Sequence, residues 1–473
     1  MQLSKLLDGI TGERFHMKDV DILTVEFDSR KAQPGTLFIA MKGGKYDGHD
    51  FVEAAIEKGA VALVVQRKLV TNIPQLVVSD IRTTLGKIAR RFYGNFADMI
   101  KVAITGTNGK TTTSFLIHSI LEMSGKRTGL IGTIYYIGEN RTKAVRTTPE
   151  SLEIFRMMSE FKEHGVEAVV MEVSSHGLAL KRVDEMLFHV AVFTNLSQDH
   201  LDFHKTIDHY RESKMRVFSL LEPDGYAVFN VDDPTSEYIR QLGLKQVITY
   251  GMKNKSDVQA RITEDTIGGL SIDISYCGHT YHVDSQLIGT YNAYNILAAF
   301  AVALSLDIDP DTTVQGIAKV KGVKGRMEQV AHNIFIDYAH TPSALENALR
   351  SLRHYAKGKL IVVFGCGGDR DKDKRPQMAA AATKLADLAI ITSDNPRSES
   401  PICIIDDIVK GIVTDRYEII EDRQSAIKQA IAKKGTDDIL LVAGKGHEDY
   451  QIIGNRTIKF DDAEVIRECI VNL

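Results

Sequence analysis

The chain has 473 residues, beyond the roughly 250 to 300 at which one hydrophobic core stops growing, so several domains are expected. Its 58 Lys and Arg against 62 Asp and Glu leave a formal charge of -4, which excludes a broad basic field for nucleic acid or an anionic membrane and leaves phosphate-bearing ligands to local sites. The four cysteines, Cys277, Cys366, Cys403 and Cys469, lack paired spacing, which excludes a sequence-readable zinc site or disulfide framework and fits a reducing cytoplasm.

The opening MQLSKLLDGITGERFH reads as a short amphipathic segment without the apolar region of a signal peptide. No run approaches the ~18 apolar residues of a membrane span, so a soluble cytoplasmic protein without membrane insertion is expected. Short apolar runs then recur with helical patterns between them, which predicts an α/β fold with parallel sheets. LFIAM, AVALVV and PQLVVSD form a first group, ending near Arg90 to Phe96. KVAITGTNGKTTTSFLIHSILEMSG opens a second, followed by EAVVMEVSSHG, VAVFTNLSQDH and GYAVFNVDD. QARITEDTIGGLSIDISYCGHTYHV then predicts an antiparallel hairpin around Gly268 and Gly269, and NAYNILAAFAVALSL a helix. Residues 319–326, KVKGVKGR, are expected to be a linker, and IFIDYAH, KLIVVFGCGG, LAIITSD and DILLVAGKG make a third α/β group. Domains at 1–98, 99–326 and 327–473 are expected. Ligands in such sheets sit at the carboxyl ends of strands, so the residues just after each run are the candidates.

In VAITGTNGKTTT, a strand, a loop holding Gly106 and Gly109, and a helix starting near Lys110 follow in the order that surrounds an anion with backbone N–H groups. The string departs from GxxxxGK[ST], because Ile104 stands where the first glycine would be. Even so, Lys110 is placed for β and γ phosphates and Thr111 for Mg²⁺, a nucleoside triphosphate signal. NKSD at 254–257 imitates the guanine-reading tetrapeptide of GTPases, but it follows polar residues and reads as a solvated turn. Glu172 ends an apolar run, and His200 lies just past another. Mg²⁺ prefers oxygen ligands, which suits Thr111 and Glu172 better than His200. In DHYRESKMRVFSLL, Tyr210, Val217, Phe218 and Leu221 form a stripe at helical spacing, and Lys214 falls inside it. Lysine is almost never buried without a partner. Lys214 therefore either snorkels to water or points into a metal site, where its amine would first have to become an oxygen donor.

TGTNGKTT, MEVSSHGL, TNLSQDHLDFH, HYRESK, GTYNAYNILAA, GRME, IDYAHTP, FGCGGDRDKDKRP, DNPR and AGKGHE occur in the order found in the Mur ligases, which the chain resembles over essentially its whole length, most closely those of the MurE type. The resemblance implies a UDP-substrate domain, a central P-loop ATPase and a Rossmann-like carboxyl-terminal domain. It implies an ATP-dependent ligase that adds meso-2,6-diaminopimelate to UDP-N-acetylmuramoyl-L-alanyl-D-glutamate through an acyl phosphate, in peptidoglycan precursor synthesis. A monomer is expected. Gly106, Thr107, Asn108, Gly109, Lys110, Thr111 and Thr112 are implied as the ATP loop, with Asn292 and Asn295 near the adenine and Arg326 and Asp337 closing from the interdomain side. Thr111, Glu172, His200 and Lys214 are implied around Mg²⁺, with Lys214 carbamylated, and His340 is a further candidate near the nucleotide. Ser29, Thr147, Thr148, Ser174 and Arg182 match the UDP-substrate positions, with residues 43–48 as a uridine-side loop. Leu180 departs from members that carry glutamine there.

Arg370, Asp394, Asn395, Pro396, Arg397, Gly444 and Glu448 are implied as the amino-acid site. An arginine fork suits a second carboxylate, so DNPR favours diaminopimelate over lysine. Two alternatives remain at this point besides lysine addition. A folylpolyglutamate synthetase shares the ATPase core but leaves the first domain and DNPR unexplained. A nucleotide-driven switch protein would prefer GTP and need no small-molecule acceptor.

Overall fold

The computed structural model describes residues 1–43 and 46–471, and the chain divides into two compact units. The first comprises Met1–Ala103, Arg127–His189 and Arg216–Gly225; the second comprises Ile104–Lys126, Val190–Met215 and Tyr226–Leu473.

In the first unit, the strands Glu13–Phe15, Gln75–Val77, Ala60–Val65, Thr36–Ile39 and Thr24–Glu26 lie side by side in that order, all parallel except the first. Phe38, Leu63 and Val65 are buried in the core beside this sheet. Each such side chain contributes about 1.5 to 3 kcal/mol by leaving water. The helix Ile81–Tyr93 is capped by Asp80, whose carboxylate accepts from Thr83 N at 3.0 Å, and it packs on the helix Ser151–Glu163. The same unit holds the parallel strands Thr128–Ile131 and Ala168–Glu172.

In the second unit, the helices Lys110–Met123, Thr290–Ser305 and Pro310–Ala318 pack together. The hairpin expected around Gly268 and Gly269 is present, as the antiparallel strands Val258–Thr266 and Gly269–Tyr276. NKSD forms a bend, with Asn254 N donating to Asp232 Oδ1 at 2.7 Å. One sequence reading needs correcting. The helix bearing Lys214 is Ile207–Met215; it gives way to a 3₁₀ turn at Arg216–Leu220 and a strand from Leu221, so Val217, Phe218 and Leu221 do not continue a single helical stripe.

The carboxyl-terminal part of this unit is a six-stranded sheet in the order Glu328–Ala331, Ile334–Asp337, Ile439–Ala443, Leu360–Phe364, Leu388–Ile391, Tyr417–Ile419. All its strands are parallel except the first. One face is covered by a core containing Leu345, Leu349, Met378 and Ile404, and the other by one containing Ile427, Ala430 and Ile466. Both faces are buried, which is why these strands read as unbroken apolar runs. The last strand in sequence inserts between the second and third, so the carboxyl ends of Ile334–Asp337, Ile439–Ala443 and Leu360–Phe364 stand adjacent, the usual location of a ligand crevice. The fully buried pair Arg423–Asp462, at 2.8 Å, fixes this end, with Arg423 Nη2 donating to Ala443 O at 3.0 Å.

Candidate active site

The strand Ile100–Thr105 leads through a short loop into the helix Lys110–Met123. Gly109 precedes the helix with φ of 87°, and a Cβ there would fall 2.4 Å from Asn295 Oδ1. At Gly106 φ is 146°, and a Cβ would fall 1.9 Å from Thr194 Oγ1. Both positions need glycine for conformation and for space. Lys110 Nζ donates to the carbonyls of Gly106 and Thr107, each at 2.9 Å, so its charge sits on the loop. Thr111 and Thr112 are buried in the first helical turn.

The loop is clamped by the segment that precedes His200. Asn195 accepts from Thr107 N at its carbonyl (2.8 Å) and from Asn108 N at Oδ1 (3.0 Å), and Thr194 Oγ1 donates to Asn108 O at 2.6 Å. Thr194 and Asn195 were not among the sequence candidates, although TNLSQDH announced them by following a strand end. Asp199 is a further addition. Burial would push its carboxyl up, but the charges of His200 and Lys374, joined by His340 when that ring is protonated, outweigh this and hold it below the ordinary range. Its Oδ2 lies 3.4 Å from His200 Nε2 and 4.0 Å from His340 Nε2. Burial pushes His340 down to about 4, leaving a neutral imidazole near pH 7.

Lys214 is 1% exposed, so snorkelling does not describe it. Its Nζ donates to Gly106 O at 2.7 Å and stands 4.4 Å from the centre of the Tyr210 ring. Burial, reinforced by the Lys110 charge, pushes this amine well below the usual lysine range, with Asp199 opposing. The same burial favours the deprotonated amine, whose lone pair chemical conversion requires.

Arg326, from the linker, donates from Nη2 to Thr111 Oγ1 at 3.1 Å and lies over the Tyr338 ring at 4.6 Å. Asp337 ends its strand with Oδ2 accepting from Met327 N at 2.6 Å; burial raises its carboxyl to about 6 against the pull of Arg326. Asn292 and Asn295 share a face of the helix Thr290–Ser305. Asn295 Nδ2 donates to Asn292 Oδ1 (2.8 Å), and Asn295 Oδ1 accepts from Thr113 Oγ1 (3.3 Å), so the pair buttresses the phosphate-loop helix.

In the first unit, Glu172 is fully buried and accepts from Thr133 N and Thr133 Oγ1, each at 2.8 Å. Thr147 Oγ1 lies 3.2 Å from Thr133 Oγ1. Thr148 Oγ1 donates to Glu172 O (2.9 Å), and Ser174 Oγ accepts from Gly177 N (3.1 Å) to cap the helix Ser175–Ala179. Arg182 Nη1 donates to Thr148 O (2.9 Å), and its guanidinium pairs with Glu150 at 2.7 Å. Buried Glu150 also pairs with Arg82 and Arg146, at 2.9 and 3.3 Å. Thr147, Thr148, Glu172, Ser174 and Arg182 thus form one cluster. Ser29 opens the separate turn Ser29–Lys31, and half-buried Leu180 ends the short helix. Of the uridine-side loop at 43–48, Gly44 and Lys45 lie outside the described residues.

At the carboxyl-terminal sheet, Asp394 and Asn395 are buried just beyond the strand Leu388–Ile391. Arg397 has φ of 53°, sparsely populated for a side-chain-bearing residue, and is held there by Arg397 N donating to Ile452 O (3.0 Å) and Gly454 N donating to Arg397 O (2.7 Å). Its Nη1 donates to Gly368 O at 2.7 Å. The buried Arg375 grips Glu399 with two N–O contacts of 2.8 and 3.1 Å, and Glu399 accepts from Asp369 N at 2.6 Å, which ties the DNPR turn to the loop after Leu360–Phe364. Arg370, in that loop, is exposed. Glu448 Oε2 accepts from Asn395 Nδ2 at 2.8 Å, and Gly444 N donates to Asp337 O at 3.0 Å.

A phosphate loop with a lysine at its helix start, followed in the same chain by a doubly wound sheet with ionic groups at its strand ends, defines the class of P-loop enzymes that carry a further α/β sheet. Family descriptions match in three consecutive stretches: "Mur ligase family, catalytic domain" over residues 21–93, "Mur ligase middle domain" over 104–303, and "Mur ligase, glutamate ligase domain" over 325–446. The chain is 44% identical to a UDP-N-acetylmuramoyl-L-alanyl-D-glutamate--2,6-diaminopimelate ligase of Geobacillus thermodenitrificans, covering 99% of each. It is 42% identical to the protein of the same name in Bacillus velezensis, covering 100% of this chain and 99% of that one. A solved structure bearing that ligase name shares 32% identity at a TM-score of 0.67 over 95% of each chain. The chain belongs to the Mur ligase family, with its three-domain α/β architecture. Among the described residues, no helix is long and apolar enough to cross a membrane.

Proposed function

We propose that this chain is an acid–amino-acid ligase that joins meso-2,6-diaminopimelate to UDP-N-acetylmuramoyl-L-alanyl-D-glutamate, consuming ATP, in the cytoplasmic synthesis of peptidoglycan precursors. The full-length likeness to ligases of that name carries this reading. A substrate carboxylate oxygen attacks the γ-phosphorus, the bond to the β–γ bridging oxygen breaks, and ADP leaves. The acceptor amine then attacks the acyl carbon, phosphate departs with its bonding electrons, and the amine nitrogen loses a proton. Two anions must meet in the first step, and Lys110, at the start of the helix, offsets their repulsion. Thr147, Thr148, Ser174 and Arg182 hold the UDP-linked substrate, with Ser29 towards its nucleotide end. Arg326 and Asp337 close on the ATP, and the Asn292–Asn295 pair keeps the loop shaped. Arg370, Arg397 and Glu448 receive the acceptor.

The donors suit a hard divalent cation. Thr111 offers an oxygen, His200 a nitrogen, and the enclosed amine of Lys214, once deprotonated, can attack carbon dioxide and lose a proton, giving a carbamate oxygen donor. These residues would hold Mg²⁺, which when bound neutralises phosphate charge.

The test is a coupled assay with purified protein. ADP and phosphate release should require both the UDP-muramoyl dipeptide and an amino acid, with diaminopimelate preferred over lysine and ornithine. A preference for lysine by orders of magnitude would overturn the acceptor assignment, and release without any acceptor would overturn the ligase reading.

Asp337 supplies a pH signature. Burial raises its carboxyl to about 6, and the ionised form is the stronger hydrogen-bond acceptor for a nucleotide hydroxyl. ATP affinity measured by calorimetry should therefore weaken as pH falls through about 6, and Asp337→Asn should bind more weakly with that component of the pH dependence removed. Equal pH profiles for the two proteins would remove Asp337 from the nucleotide site.

A further inference from the structure

We infer that Lys445 is a positioning residue for acceptor recognition, holding Asn395 and one oxygen of Glu448 so that the other carboxylate oxygen serves the acceptor's ammonium group. The inference rests on the proposed reading of Glu448 as part of the acceptor site.

Lys445 is fully buried directly after Gly444, at the carboxyl end of the strand Ile439–Ala443. A buried ammonium group is costly unless its donors are matched. Here Nζ donates to Glu448 Oε2 at 3.1 Å and to Asn395 Oδ1 at 3.3 Å, and lies 5.4 Å from the centre of the Tyr450 ring. Asn395 Oδ1 also accepts from Ile452 N at 3.0 Å, while its Nδ2 donates to the same Glu448 Oε2 at 2.8 Å. Both lone pairs of Asn395 Oδ1 are thereby committed to protein donors, and Asn395 is 2% exposed. The asparagine of DNPR thus acts through Glu448. Oε2 of that carboxylate takes two donors, whereas Oε1 meets the Tyr450 hydroxyl at the long distance of 3.5 Å and retains acceptor capacity.

The charges agree. Burial raises the Glu448 carboxyl, the neighbouring Asp394 raises it further, and Lys445 opposes both. Tyr338, Tyr450 and Arg423 also face this carboxylate. Only an ionised Glu448 offers a full negative charge to an ammonium group, so losing the Lys445 charge should move its titration upward in pH.

Lys445→Met keeps the length and apolar stem of the side chain and removes the charge. It should raise KM for diaminopimelate by about tenfold or more, with kcat changed far less, as expected for a ground-state recognition contact. The acid limb of kcat/KM for diaminopimelate should move to higher pH. ATP affinity by calorimetry should stay within about twofold of the parent, since additivity holds for sites that share no partners. Lys445→Arg, which keeps the charge, should leave the acid limb in place. An unchanged KM and acid limb would overturn the inference. So would a parallel loss of ATP affinity, which would mark Lys445 as a general support of the domain. Glu448→Gln separates the two levels: if that variant too keeps its KM for diaminopimelate, the acceptor-site reading itself fails, whereas a defective Glu448→Gln beside a normal Lys445→Met overturns the Lys445 role alone.

Discussion

Lys214→Ala is expected to lower kcat by about a thousandfold, the scale on which removal of a metal-linked electrostatic group acts. Lys214 is fully enclosed beside the phosphate loop, donates to Gly106 O at 2.7 Å, and has an amine depressed by burial. A protonated lysine is the expensive state at this position, and carbamylation converts the cost into an oxygen ligand. The measurement is phosphate release with all three substrates present, together with the intact mass of the parent protein, which should carry the increment of one carbon dioxide. Added bicarbonate should not rescue the variant, because it has no amine to modify. A variant retaining a tenth or more of parental turnover would remove Lys214 from the catalytic machinery.

Arg397→Ala should cut kcat/KM for diaminopimelate by about a hundredfold, in line with the loss of a charge-assisted contact to a carboxylate. ATP affinity should be nearly unchanged, because the side chain is anchored to Gly368 O and its backbone to Ile452 and Gly454, not to the phosphate loop. The discrimination between diaminopimelate and lysine should also shrink, since lysine lacks the second carboxylate. Competition between the two acceptors in one reaction reads this directly. An unchanged preference would take Arg397 out of acceptor selection.

Much of the architecture was legible in the sequence. The parallel sheets announce themselves as apolar runs because both faces are buried, and the phosphate loop announces itself because a strand, two special glycines and a lysine are all local. The DNPR turn was visible for the same reason, since it closes a strand within a few residues. What escaped was the company these groups keep. Asn195 meets Asn108 across 87 residues of chain, and Lys445 meets Asn395 across 50, partnerships that no local pattern encodes. Glu150 shows this most clearly: it stands within RTTPE with no local sign of its partners, yet this buried carboxylate gathers Arg82, Arg146 and Arg182 around it. The assumed helical stripe beyond Met215 failed for a related reason. Apolar spacing reports which side is buried, and a helix, a 3₁₀ turn and a strand in succession can bury the same residues.

The hydrogen bond from Gly444 N to Asp337 O joins a strand that ends at the proposed nucleotide contact to one that ends at the proposed acceptor contact. If occupancy of one strand end shifts the other, the effect must run both ways by the same factor, because linkage between equilibrium affinities is reciprocal. Whatever advantage bound nucleotide gives to diaminopimelate, diaminopimelate returns to the nucleotide. An enzyme built on that link would hold its costly triphosphate more firmly when an acceptor is at hand, and loosen its grip when none is.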